Sequence, residues 1–171
     1  MDITTVILFI GIAIAISFVA AYFIFKYKKP NQAEENKTIS NSPATQQLQL
    51  QAYERLALLA DRIAIPNLIS RLNQEGLGAK ELQVILTQNI KSEFEYNISQ
   101  QIYVSANTWK ALKNLKDQNI LLINQLGNVL PQTATGTDLS KLLLEYLMND
   151  RKGSLQELVS EVISFEAKKL L

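Results

Sequence analysis

The chain has neither cysteine nor histidine. Without cysteine there is no disulfide, no thiol nucleophile and no thiolate zinc site, so the fold rests on its own apolar core. Without histidine the commonest general base and the commonest metal ligand are missing too. Glycine is scarce, six in 171 residues, and only Gly76-Leu77-Gly78 forms a close pair. That pair suits a turn between helices and is not a phosphate-binding loop. Charge of one sign is not in excess either. With Asp2, Lys26, Lys28 and Lys29 set aside, 14 of the 17 basic and 15 of the 16 acidic residues remain, a balance that leaves no electrostatic footprint for nucleic acid. These absences argue against an enzyme, a cofactor, a metal site and nucleic-acid binding.

What the chain does have begins at its N-terminus. Residues Ile3 to Phe25 form a run of 23 without a charge. As a helix this run would be about 34 Å long, enough to cross a hydrocarbon core of about 30 Å. Lys26, Lys28 and Lys29 follow at once, whereas only Met1 and Asp2 precede it. Basic flanks stay on the cytoplasmic side, so the reading is a single-pass membrane anchor, N-terminus outside, with the rest of the chain in the cytoplasm. A cleaved signal would have a basic leader and a shorter apolar stretch of about 7–15 residues. Ala13, Ser17 and Ala21 repeat at a spacing of four, as do Gly11 and Ala15, and small residues so spaced allow close helix approach in lipid. The expected partners are therefore the lipid bilayer, through residues 3–25, and a protein partner or a second copy of the chain.

The organisation then reads as an anchor with its basic flank over 1–29, a linker over 30–44 and a helical domain over 45–171. Pro30 to Ala44 is polar, holds two prolines and shows no apolar period, as a flexible linker would; such a coil spans roughly 20 Å on average. Ser42-Pro43 offers a cap and a first helical residue. Leu48, Ala52, Leu56, Leu59 and Ile63 recur at spacings of three and four, one face of a helix. Pro66 ends or kinks it, and a short second helix runs through Leu68, Ile69 and Leu72 to Gly76. A third carries Leu82, Ile85, Leu86, Ile90 and Phe94. Ser105 caps a long fourth, with Trp109, Leu112, Leu115, Ile120, Ile123, Leu126 and Leu130. A fifth carries Leu139, Leu142, Leu143, Tyr146 and Leu147. Ser154 and Glu157 form a capping box for a last helix. The expected fold is all-α: one transmembrane helix plus a cytoplasmic bundle of about five to six helices. Asn97 to Val104 alternates apolar and polar residues weakly, which suggests an extended connector or a strand that pairs across a dimer.

At about 100° per residue, several polar residues fall on inward faces. Asn89, Glu93 and Asn97 lie inside the stripe of the third helix, Lys116 and Asn119 within that of the fourth, and Arg55 and Arg62 border that of the first. A carboxylate withdrawn from water has to be paired, so Glu93 should meet Arg55, Arg62 or Lys116. The cluster reads either as a structural ion pair or as a polar groove that binds a partner or ligand. Lys110, Lys113, Asp117 and Asn124 are read as a solvated face.

Gln51-Ala52-Tyr53-Glu54-Arg55-Leu56, Ile65-Pro66-Asn67-Leu68-Ile69 and, more specifically, Phe94-Glu95-Tyr96-Asn97-Ile98-Ser99-Gln100-Gln101-Ile102-Tyr103-Val104-Ser105 resemble a group of small single-pass membrane proteins from Bacteroidota whose function is uncharacterised. The resemblance covers roughly residues 45 to 145 and implies an inner-membrane protein of a Gram-negative bacterium. It brings no activity, cofactor or catalytic residue. The functional expectation is therefore a membrane-anchored interaction or scaffold module. The alternative is a ligand-binding or sensory module built on the groove around Glu93.

Overall fold

The computed structural model describes residues 42–149 and 155–171. The chain divides into two units, Met1–Asn41 and Ser42–Leu171. The expected anchor at 3–25, its lysine flank and most of the expected linker lie outside the described residues, as does Ser154. Among the described residues no helix is long and apolar enough to cross a membrane.

The second unit holds six α-helices and one 3-10 helix, with no strand among its described residues. Helix α1 is Pro43–Arg62. Ser42 is extended, and its Oγ accepts from the Thr45 N–H at 3.2 Å, while Pro43 occupies the first turn, where its missing N–H costs nothing. Helix α2, Ile65–Leu72, follows after two residues and takes Pro66 into its first turn, so this proline opens the second helix as much as it closes the first. The link to α3 (Ala79–Tyr96) turns at Gly76, whose φ of 88° is open to glycine at no steric cost. Helix α4, Ala106–Val129, starts at Ser105, whose Oγ accepts from the Thr108 N–H at 3.2 Å. Helices α5, Gly136–Asn149, and α6, Leu155–Lys168, complete the unit.

The core is built by one face of each helix. Leu56 and Leu59 of α1, Leu82 and Leu86 of α3, Leu112 of α4 and Leu139 of α5 are fully buried within it. Each such side chain contributes about 1.5–3 kcal/mol relative to exposure. Helix α1 packs most extensively on α6, the last helix of the chain, and the Gln46 side-chain amide donates to the Leu170 carbonyl. Helix α3 lies against α4 and α5. The loops before α3 and α5 are joined by an antiparallel bridge: Ala79 N–H donates to the Ala134 carbonyl at 2.9 Å and Gly136 N–H to the Leu77 carbonyl at 2.7 Å. Two helix starts are thereby held side by side.

Two sequence expectations need correction. Residues Ile98–Ile102 form a 3-10 helix, neither an extended connector nor a strand. Gln100 N–H donates to the Asn97 carbonyl and Tyr103 N–H to the Gln100 carbonyl, each at 3.0 Å, and Ile98 and Ile102 are both exposed. The alternation therefore marks no buried face. Asn124, read as solvated, instead faces α3: its Oδ1 accepts from Gln83 Nε2 at 2.9 Å. Gln83 Oε1 in turn accepts from Lys80 Nζ at 3.0 Å, and the same ammonium donates to Asn128 Oδ1 at 2.7 Å. This polar seam exists because Gly127 lets α4 come close; a Cβ there would stand 2.6 Å from Gln83 Oε1.

Candidate docking groove

Of the three cations considered for Glu93, the structure pairs it with Arg62. Arg62 Nε and one terminal nitrogen converge on Glu93 Oε1 at 2.8 and 2.6 Å. The last turn of α1 presents the arginine and α3 the carboxylate. The Glu93 side chain is 15% exposed and that of Arg62 53%, so the pair sits on a rim and borders water. The hydrogen bond from Arg62 to Glu93, and then their Coulomb attraction, hold the guanidinium proton more tightly than usual.

The other polar residues separate into two groups. Asn97 is buried and donates from Nδ2 to the Glu93 carbonyl at 2.9 Å, finishing the last turn of α3. Arg55, two turns before Arg62 on α1, holds its guanidinium 5.4 Å from the centroid of the Tyr96 ring, within cation–π range. Asn89 lies further along α3, its Oδ1 3.5 Å from Arg71, which donates to the Arg62 carbonyl at 2.7 Å. Lys116 and Asn119 do not join these residues. Lys116 Nζ stands 4.8 Å from the centroid of the Phe94 ring and 2.8 Å from Asp117 Oδ1. Asn119 Nδ2 donates to the Ile63 carbonyl at 2.8 Å, satisfying the backbone where α1 ends.

Between α1 and α3 runs a groove of about 430 Å³, with Arg55, Leu58, Arg62, Glu93, Tyr96 and Asn97 among its lining. Leu58 and Tyr96 are 64% and 74% exposed. Neither stood out in the sequence, although Leu58 is an apolar residue off the buried stripe of α1. Arg55 and Arg71 meet no carboxylate among the described residues. The groove therefore combines an aliphatic wall, an aromatic ring and more cation than anion, and its one carboxylate is already engaged. Among the described residues no group of acidic side chains could hold a metal ion.

The fold and the groove define a small all-α unit with an open, partly cationic furrow along its first helix. The chain belongs to a family of unknown function, DUF7935, whose model matches residues 1–170. That match takes in the apolar run as well as the helical unit. Neither the curated proteins nor the solved structures returned a match.

Proposed function

We propose that this chain is a membrane-tethered interaction module of a Gram-negative bacterium of the Bacteroidota. The run at 3–25 anchors it in the inner membrane, and the helical unit recruits a protein on the cytoplasmic side. The partner presents to the α1–α3 groove a segment in which a carboxylate is flanked by apolar side chains. The observation that carries this reading is the pairing of exposed Leu58 and Tyr96 with an arginine that meets no carboxylate. Tyrosine and arginine supply much of the binding energy at protein interfaces, because each offers broad contact area and directed hydrogen bonds.

Affinity purification of the full chain from detergent-solubilised membranes tests the proposal. The expected result is one stoichiometric protein partner, lost on Arg55→Glu and on Tyr96→Ala, both exposed positions. A bait that brings down no protein, or a partner retained by both variants, would overturn it.

A further inference from the structure

On another part of the unit, α4 forms one wall of a second cleft, of about 390 Å³, shared with α2, α5 and α6. We propose that this cleft binds an uncharged, largely apolar small molecule carrying one or two hydrogen-bonding groups, of the alcohol, amide or ketone class. The proposal is independent of the docking groove, with which the cleft shares no lining residue.

The chemistry of the lining selects that class. Buried Ile65 and Leu115 line it together with Leu122 and the more exposed Leu121 and Tyr146. Among the described residues no lining side chain is charged, in keeping with the sequence of α4. Helix α4 carries Lys110, Lys113, Lys116 and Asp117 in its first half, then no charge from Gln118 to its end at Val129. An ionised ligand would shed water here without meeting a counter-charge among the described lining residues, which is unfavourable. A neutral polar group meets no such obstacle. Gln118, Gln125 and Gln156 line the cleft, and none has a hydrogen-bond partner among the described residues. Asn119 uses its amide nitrogen on the Ile63 carbonyl, which leaves Oδ1 to accept. Carboxamides both donate and accept, so they orient an alcohol, amide or ketone without demanding charge. The volume lies within the range of about 300–1,000 Å³ usual for small-molecule sites.

Photolabelling reads the site directly, even where the probe also partitions into lipid. The full chain, reconstituted in phosphatidylcholine nanodiscs, is irradiated with a long-chain alcohol bearing a mid-chain diazirine, and the labelled peptides are mapped by mass spectrometry. The expected labels fall on the cleft residues of α4 and at the start of α6. The matching carboxylate at neutral pH should label them at least tenfold less. Gln125→Trp fills the cleft from an exposed position and should abolish these labels; Leu121→Glu, also exposed, should reduce them. Arg55→Glu should leave them unchanged. Equal labelling by alcohol and carboxylate, labels confined to other peptides, or labels that persist in Gln125→Trp would each overturn the proposal.

Discussion

At the scale of single residues, two positions make opposite predictions from those their chemistry first suggests. Glu93 is a carboxylate on an apolar stripe, yet its partner Arg62 is more than half exposed, so truncating Glu93 leaves a guanidinium that water can solvate. Glu93→Ala should leave the thermal unfolding midpoint close to wild type, with a salt-sensitive difference at most, as read by circular dichroism. A collapse of stability would mean that the pair is sealed from solvent. Gly127 is a helical glycine, where alanine ordinarily stabilises by up to about 1 kcal/mol. Here the new Cβ would meet Gln83 at 2.6 Å and force it off Asn124 and Lys80. Gly127→Ala should therefore destabilise, by about 1–2 kcal/mol in denaturant titration. In a Gln83→Ala background the obstacle is gone, and the same substitution should become neutral or stabilising, a sign change that a double-mutant cycle detects. Neither outcome is readable from sequence. Helical spacing marks Glu93 as inward and says nothing of where the neighbouring helix crosses.

At the scale of the element, helix starts are the most legible feature. Ser42 and Ser105 both cap as their side-chain chemistry demands, and Gly76 turns the chain as its freedom of φ allows. The cap of α5 was not picked out from the sequence, although Thr135 and Asp138 form a box there. Asp138 Oδ2 accepts from the Thr135 N–H at 2.8 Å and from its hydroxyl at 2.7 Å, while Asp138 N–H donates back to Thr135 Oγ1 at 3.2 Å. The backbone hydrogen bond from Thr135, then the side-chain one, holds the Asp138 carboxyl below its ordinary range. A carboxyl whose folded pKa is depressed stabilises above its unfolded value, about 3.9, and that stability is lost as pH falls through the folded one. Asp138→Asn should flatten this part of the acid limb, so that wild type and variant converge in urea unfolding as the pH falls through the folded value. An unchanged difference between them at every pH would show that the carboxylate does not act through this cap. The 3-10 helix at Ile98–Ile102 was hidden as well. Its i to i+3 bonds need no residue type that a strand would refuse, and its isoleucines do not report a buried side.

At the scale of the whole molecule, the helical period made the all-α class visible, since most of the apolar stripes found by spacing are core faces. Which helices touch was not visible, because a stripe says that a face is buried and not against what. That gap hid the α1–α6 pairing and separated Lys116 and Asn119 from the groove. The pairing makes a prediction. Ending the chain at Asn149 removes Val159 and Ile163 from the core and uncovers α1, so the shortened chain should lose its cooperative thermal transition; a retained sharp melt would show that α6 is dispensable. The proposed tether makes another. A cytoplasm-dependent reporter fused after Leu171 should be active, and replacing Lys26, Lys28 and Lys29 with glutamine should give mixed orientation. Activity of a periplasm-dependent reporter at the same point in the unaltered chain would reverse the assigned topology.

The contact between α1 and α6 also sets an order of events during synthesis. Helix α1 leaves the ribosome with its apolar face formed, but its principal cover is made last. From Arg62 to Lys168 is 106 residues, which at about 5–20 residues per second amounts to roughly 5–20 s of elongation. For that time the part of α1 that packs on α6 stays uncovered, while a still earlier apolar run has already been made. A nascent chain with two apolar segments in view is a substrate for whatever holds unfolded protein at the ribosome. Closure of the bundle over α1 therefore follows the synthesis of α6, so a chain stopped before that helix is expected to be a sticky intermediate instead of a shorter stable domain.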